Sequence, residues 1–276
     1  MYEDFIGNCW SRSSDISIKK HEKNAKVSNT TGKEMKKFNL KKDEVMVVTI
    51  DIDAGAAYVP DLYKILSHYE CERAQKFLFE RDRFTYIITR GLLRIILGTL
   101  LHITPCSICF NYGKYGKPVI QFEGEKHIYF NTSHTRGKAI IAVTYISDIG
   151  VDIEYIRPLK YGNQILERFF SKEECNEIRS VLPGLQQRAF FTCWTRKEAV
   201  IKAVGRGLSM PLRCFTVTCT PDDPPKLLNI KWDREKSSDW NLFDIDVGES
   251  YSASLAVRGK KVRLIQVHWP SSDIFI

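Results

Sequence analysis

The order of predicted elements repeats within the chain, and this repeat constrains the fold most. A β-branched run from Val45 to Ile52 predicts a strand, and helical patterns over residues 62–79 and 84–101 follow it. A strand from Gly150 to Tyr155 starts the same order again, with helical stretches from Asn163 onward. Further strands are predicted over residues 107–112, 128–134, 138–146, 215–219, 227–232, 240–247, 251–257 and 262–269. We therefore expect an α+β fold of two similar halves, packed side by side.

Composition divides the chain into three expected regions. Residues 1–44 are polar, rich in lysine and almost without periodicity, which predicts a disordered basic extension. Residues 45–149 form the first half of the fold and residues 150–276 the second half. With 43% hydrophobic residues in a chain of 276, there is enough apolar material for one large core or two moderate ones.

The positive charge is concentrated in the extension. The formal net charge is +8, and the segment from Arg12 to Lys42 carries +7 of it. The remainder is nearly neutral, so we expect no basic face and no nucleic-acid partner for the folded part. A nucleic-acid-binding protein that acts through its basic tail is an alternative class, and salt-sensitive binding that is lost without residues 1–43 would support it.

The sequence predicts a cytoplasmic protein that does not enter a membrane. The most apolar stretch, from Tyr86 to Leu101, is interrupted by Arg90 and Arg94, so no run of membrane-spanning length is expected. The first ten residues lack a basic segment followed by an apolar one, so no secretory signal is expected. The eight cysteines are scattered without a repeating spacing, which is typical of reduced thiols.

Two short segments carry candidate chemistry. Glu198 and Lys202 are four residues apart in a predicted helix, so they share one face of it; an exposed salt bridge is the simpler alternative. Asp152 and Glu154 alternate on a predicted strand and also share a face, where the simpler alternative is a solvent-facing edge strand. Together the three carboxylates suit a hard divalent cation such as Mg²⁺, and Lys202 could then neutralise a phosphate.

Polar residues at the end of another predicted strand add donors for phosphate oxygens. These are Asn131, Ser133 and His134, which precede a turn at Thr135–Gly137. A histidine in an apolar strand can equally be a packing residue, and the sequence leaves that alternative open.

In these segments the chain resembles the Sfp-type 4′-phosphopantetheinyl transferases. The paired signature of that family matches Gly150–Glu154 and Trp194–Lys202, with Trp194 placed 42 residues after Asp152. Three further motifs agree in order: residues 77–82 (FLFERD), 115–118 (YGKP) and 130–135 (FNTSHT). The resemblance covers about residues 45–270 and leaves the basic extension outside it.

The resemblance implies a pseudo-dimeric fold with the active site in the cleft between the halves. It also implies Mg²⁺-dependent transfer of the phosphopantetheine arm of coenzyme A to a serine of an acyl or peptidyl carrier protein. Asp152, Glu154 and Glu198 would hold the metal, Glu198 would act as the base, and Lys202 would stabilise the departing phosphate. The coenzyme contacts carried over from the resemblance are Arg73, Lys117, Ser133, His134 and Lys202.

Some expectations concern partners and departures from the family. Glu70 stands near a position where relatives often carry a basic residue, so a coenzyme contact is expected to be missing there. We place carrier-protein docking between Asn163 and Leu185, and we expect a monomer because the two halves already form a cleft. An inactive homologue that docks carrier proteins without modifying them is the competing class.

Overall fold

The computed structural model describes residues 40–121, 127–159, 162–232 and 237–270. Most of the predicted basic extension, residues 1–39, lies outside the described residues. The strands are β1 (Glu44–Asp51), β2 (Phe110–Tyr112), β3 (Pro118–Ile120), β4 (Tyr129–Thr135), β5 (Lys138–Thr144), β6 (Ile149–Tyr155), β7 (Phe215–Val217), β8 (Leu227–Ile230), β9 (Trp240–Asp244), β10 (Tyr251–Arg258) and β11 (Arg263–Trp269). The helices are α1 (Val59–Lys64), α2 (His68–Gln75), α3 (Glu80–Leu101), α4 (Gly162–Phe169), α5 (Lys172–Ser180) and α6 (Pro183–Val204), with short 3₁₀ turns at Ala56–Tyr58, Pro105–Ser107, Gly207–Ser209, Leu212–Cys214 and Ser237–Asp239.

The two halves share one topology, which confirms the predicted α+β fold of similar halves. The first half orders its antiparallel strands β1-β5-β4, and the second orders its strands β6-β10-β9. In both, the first strand in sequence pairs with the last over seven residue pairs, so Val45 is equivalent to Ile149 and Asp51 to Tyr155. Each half also has one long helix, α3 or α6, of 22 residues.

The last strand returns to the first half. β11 pairs in parallel with β1, which gives the larger sheet the order β11-β1-β5-β4. β11 therefore completes a sheet of the first half, although it lies in the residue range predicted for the second half. The predicted bounds of the two halves stay a prediction. β2 with β3 and β7 with β8 form separate two-stranded sheets.

The described residues form three apolar clusters, and β1 contributes to two of them because it is buried on both faces. Met46, Val48 and Ile50 pack with α3, whereas Val45 and Val47 pack against the other sheet. Burial on both faces explains why β1 is a nearly continuous apolar run rather than an alternating one. The layer between the two sheets comprises Val45, Val47, Ile140, Ala142, Ile149, Val151, Ile153, Ala253, Leu255 and Val257, among others.

Helix boundaries follow local capping chemistry. The prediction of one continuous helix over residues 62–79 is wrong, because the chain forms two helices, α1 and α2, with a break before Ser67. Ser67 is extended and its side chain accepts the Glu70 N–H, while Glu70 accepts the Ser67 N–H, so a new helix begins there. The break expected near Ser171 is confirmed, with the same reciprocal bonds between Ser171 and Glu174.

Helix α3 is long and apolar enough to cross a membrane by length and composition, so the expectation that no segment reaches that length is wrong. In this structure 72% of its most apolar window is buried inside the protein, where Ile88, Leu92 and Ile96 contribute to the first core. The core helix of a soluble protein passes the same test, so the finding is weak evidence for a membrane span.

Candidate active site

The candidate site forms where β6 lies directly against α6. A Cβ atom at Gly150 would lie 2.0 Å from the Ala199 carbonyl oxygen and 2.4 Å from the Ala203 nitrogen, so only glycine permits this approach. The even-numbered residues of β6 face the helix, because the intervening Val151 and Ile153 pack between the sheets. Asp152 and Glu154 are therefore directed toward α6.

Lys202 bonds to Asp152 across the interface between β6 and α6. Its ammonium nitrogen lies 2.7 Å from Asp152 Oδ1, 3.0 Å from Ser133 Oγ and 3.2 Å from the Val151 carbonyl oxygen. Ser133 Oγ donates in turn to Asp152 Oδ1 at 2.9 Å. Ser133 belongs to β4 of the first half, so residues of both halves meet in this cluster.

Glu198 is buried beside the same cluster without compensation. Its side chain is almost fully enclosed, and neither carboxylate oxygen has a hydrogen-bond partner among the described residues. Burial, and then the nearby charges of Asp152 and Glu154, raise the pKa of Glu198 to about 8, although Lys202 opposes the shift. In the metal-free protein this carboxyl group is therefore largely protonated at neutral pH.

Glu154 is compensated only in part. Arg157 Nη1 donates to its Oε2 at 3.3 Å, and the arginine side chain is partly exposed. Burial and the charge of Asp152 raise the pKa of Glu154 to about 7, with Arg157 acting in the opposite direction. The three acids thus share one electrostatic environment.

The three acids differ in how well they could bind a metal ion. Within the described ranges, no three His, Cys, Asp or Glu side chains are grouped closely enough to hold a metal ion. The donor chemistry nevertheless suits a divalent cation, since Glu198 is buried with no hydrogen-bond partner for either oxygen among the described residues, and the charges of Asp152 and Glu154 act on it. The three carboxylates thus form a cluster in which the Lys202 ammonium is bound to Asp152.

Both simpler alternatives for these acids are wrong. Glu198 and Lys202 are buried, and Lys202 bonds to Asp152, so they do not form an exposed salt bridge. Asp152 and Glu154 are buried too, because α6 covers the face of β6 that carries them. The sequence spacing identified the shared faces correctly but could not show what covers them.

The residues predicted to contact coenzyme A are only partly brought together. Ser133 and Lys202 are in direct contact. His134 lies next to Ser133 on β4 with an exposed side chain, yet burial, and then the charge of Lys202, lower the pKa of its ring, so its roles as a donor and as a packing residue both stay predictions. Lys117 Nζ instead bonds to Asp148 at 2.7 Å and to the Ala203 carbonyl oxygen, beside the end of α6.

Arg73 and Glu70 belong to a different neighbourhood on α2. The Arg73 guanidinium lies 5.4 Å from the centre of the Tyr86 ring. Glu70 is buried and bonds to Arg90 Nε at 2.5 Å and Arg94 Nε at 2.6 Å. Burial alone would raise the pKa of Glu70, but these two guanidinium groups lower it. Glu70 is thus a structural ion-pair residue.

The sequence analysis missed a polar network beneath the cluster. Thr195 Oγ1 lies 3.1 Å from Ser252 Oγ and 3.0 Å from Ser254 Oγ, which links α6 to β10. In the ladder, Ser252 pairs with Glu154 and Ser254 with Asp152. Two serines alternating on a strand next to an acidic strand are the signal that would have indicated this network.

Two family models match the chain. One, described as the 4′-phosphopantetheinyl transferase superfamily, matches residues 148–256, and the other, the N-terminal 4′-phosphopantetheinyl transferase model, matches residues 58–145. The two matches lie on opposite sides of the junction between the structural halves.

Curated relatives cover most of the same region. The chain is 34% identical to the 4′-phosphopantetheinyl transferase HetI of Nostoc sp. over 223 residues, which is 80% of this chain and 91% of that protein. It is 32% identical to the 4′-phosphopantetheinyl transferase Sfp of Bacillus subtilis over 55% of this chain and 65% of that protein. A phosphopantetheinyl transferase of Thraustochytrium sp. is 29% identical, over 70% of each chain.

Proposed function

Because the chain belongs to the 4′-phosphopantetheinyl transferase superfamily and is an enzyme of that class, we propose that it transfers the 4′-phosphopantetheine moiety of coenzyme A to a carrier-protein serine. The observation that carries the site assignment is the buried cluster of Asp152, Glu154 and Glu198 beside Lys202. Such a cluster needs a strong compensating charge, and phosphoryl transfer requires positioned charge of that kind.

The reaction forms one bond and breaks one. The serine hydroxyl oxygen of an acyl or peptidyl carrier protein attacks the phosphorus that bears pantetheine. The bridging oxygen of the pyrophosphate leaves with adenosine 3′,5′-bisphosphate. Glu198, once ionised, accepts the serine proton, and the Lys202 ammonium stabilises negative charge on the departing phosphate.

Asp152, Glu154 and Glu198 are the residues that would hold Mg²⁺. Bound Mg²⁺ would supply neutralisation of pyrophosphate charge. A cation at these carboxylates favours their ionised forms, so it would also lower the pKa of Glu198 from its raised value and make that group competent as a base.

The coenzyme is proposed to lie along the junction of the halves, against Ser133, His134 and Lys202. The contact between Ser133 of β4 and Lys202 of α6 supports this location. Lys117 and Arg73 remain proposed contacts at its phosphates, although each has another neighbour in the described structure. Lys117 would have to exchange its partner Asp148 for phosphate.

Partner docking and assembly are also proposals. Leu182 and Leu185 lie within the expected docking range of residues 163–185, and their exposed apolar side chains support a partly apolar carrier-protein contact. We propose that the protein works as a monomer in the cytoplasm. An obligate oligomer in gel filtration would contradict the monomer.

The reaction is tested by the intact mass of a purified apo carrier protein after incubation with the enzyme, coenzyme A and Mg²⁺. One phosphopantetheine should be added to each carrier. EDTA should abolish the gain, and Glu198→Gln should slow it by about 100-fold or more, because a base and a metal donor are lost together. Glu72→Gln, on exposed surface of α2, is the matched control and should react at the wild-type rate.

The same assay distinguishes an active enzyme from the competing class, an inactive homologue that docks carrier proteins. No mass gain with a panel of carrier proteins, together with measurable coenzyme A binding, would favour an inactive docking homologue. Loss of coenzyme A binding as well would contradict the proposed location of the cleft site.

A further inference from the structure

We propose that Lys202 is a built-in counterion that holds Asp152 in the metal-free protein and competes with the divalent cation for that carboxylate. The inference rests on the proposed function, since it concerns the same cation. It adds a role for Lys202 before substrate arrives, distinct from its contact with phosphate.

The first observation is the way in which the Lys202 ammonium is bound. It lies within hydrogen-bond distance of Asp152 Oδ1, Ser133 Oγ and the Val151 carbonyl oxygen, and an ammonium group has hydrogens enough to donate to each of them. The side chain is 6% exposed, so the ammonium is compensated by these groups rather than by bulk water. Lys202 is therefore seated in a formed site on Asp152.

The second observation is that the three acids differ in their ion pairs and hydrogen bonds. Asp152 has a short ion pair at 2.7 Å, and Glu154 has a longer one at 3.3 Å to a partly exposed arginine. Among the residues that the structure describes, neither oxygen of Glu198 has a hydrogen-bond partner, although Glu198 is one helical turn from Lys202. The ion pair of 2.7 Å between Lys202 and Asp152 is thus shorter than the one described for Glu154, and it lies on the face of β6 that α6 covers.

These contacts make Lys202 and a bound cation competitors. Both positive charges would approach the same small, buried carboxylate, where repulsion between like charges is weakly screened. Lys202 bonds to Oδ1 of Asp152, so a cation on either oxygen of that carboxylate would weaken the Lys202 contact through repulsion. The displaced ammonium stays beside the cluster, where an anionic phosphate is its natural new partner.

The test measures Mn²⁺ binding by isothermal titration calorimetry to the full chain, without coenzyme A or carrier protein. Lys202→Met should bind Mn²⁺ about tenfold more tightly than the wild type, because a competing charge has been removed. Lys138→Met is the matched control, since it removes a half-buried lysine that donates to the Val247 carbonyl oxygen, and its Mn²⁺ affinity should equal that of the wild type. Circular dichroism verifies that each variant is folded.

Ser133→Ala provides a second variant that keeps every formal charge. It removes one acceptor of the ammonium, so it should loosen Lys202 and tighten Mn²⁺ binding by about two- to fivefold. Unchanged or weaker binding by folded Lys202→Met and Ser133→Ala would overturn the counterion role while leaving the transferase reaction intact. Absence of Mn²⁺ binding by the wild type would overturn it together with the proposed metal site, and the carrier-protein mass assay would report separately on the reaction.

Discussion

In the first half, Met46, Val48 and Ile50 of β1 face helix α3, whereas in the second half the equivalent positions of β6 face helix α6 and are Gly150, Asp152 and Glu154. The adjacent strands differ in the same way. Positions on β5 that face α3 are Ala139, Ile141 and Val143, and those on β10 that face α6 are Ser252, Ser254 and Ala256. One backbone arrangement thus surrounds an apolar core in one half and a charged cluster in the other.

The halves agree where their task is structural. In both, a serine and a glutamate form a capping box, and the buried glutamate also receives a cation from the long helix: Glu70 from Arg90 and Arg94, and Glu174 from Lys197. These carboxylates are saturated with hydrogen bonds, unlike Glu198. The contrast teaches that saturation with hydrogen bonds, rather than burial, separates the structural acids from Glu198.

The largest effect is expected when an aspartate is placed at position 48 of the first half, which is equivalent to Asp152 of the second half. Val48→Asp should destabilise the protein by about 4 kcal/mol or more, because Val48 is fully buried in an apolar cluster and its packing is lost as well. Urea unfolding followed by circular dichroism measures the change. Val48→Ala, which shortens the side chain without adding charge, should cost about 2 kcal/mol.

The reverse exchange, which replaces charged residues of the second half with apolar ones, should not destabilise the protein. Asp152→Val combined with Lys202→Met replaces the buried ion pair with apolar groups, so stability should be unchanged or increased by about 1–4 kcal/mol while transferase activity is lost. If this double variant were as unstable as Val48→Asp, the charged cluster would be a structural requirement of the second half.

The structural ion pair of the second half should be more sensitive to the loss of one member. Lys197→Met should cost about 3–5 kcal/mol, since Glu174 would keep a buried charge without its ammonium partner. Thermal unfolding with and without Mg²⁺ measures this, and Mg²⁺ should not rescue the variant. Lys172→Met at the exposed start of α5 should change stability by less than about 0.5 kcal/mol. A loss below about 1 kcal/mol for Lys197→Met would contradict the structural role.

The pH dependence of stability should also identify the unsaturated acids. The folded protein raises the pKa of Glu198 from 4.5 to about 8, so folding favours the protonated carboxyl group. The contribution of Glu198 to the stability of the metal-free protein should therefore be fully present below about pH 4.5 and should be lost, by on the order of a few kcal/mol, as pH rises toward about 8. Urea unfolding in EDTA-containing buffers measures the slope, and Glu198→Gln should flatten it. A slope that is the same in the wild type and in Glu198→Gln would contradict the raised pKa of Glu198.

The sequence was sufficient where local chemistry decides the structure. The apolar run of β1, the capping box at Ser171 and the shared faces of Asp152 with Glu154 and of Glu198 with Lys202 all follow from short-range patterns. The repeat was visible as an order of elements because each half builds its strands and helices from such patterns.

The sequence was insufficient where contacts between distant segments decide it. Lys202 selects Asp152, 50 residues away, rather than Glu198 on its own helix, because Gly150 lets β6 approach α6 closely. Glu70 likewise finds Arg90 and Arg94 through the packing of α2 on α3, which no local spacing encodes. The choice among possible partners thus depends on tertiary geometry.

The smallest predicted effect compares the two capping boxes directly. Ser67→Ala and Ser171→Ala should each cost about 1 kcal/mol, because each leaves the N–H of the third helical residue without its acceptor. The cost should be larger at Ser171, since this serine is buried and its Oγ also accepts a bond from Thr216 Oγ1 at 3.2 Å. Urea unfolding of both variants measures the difference. Equal costs would mean that the Thr216 bond adds nothing, and a larger cost at Ser67 would reverse the ranking of the two halves at this shared structural element.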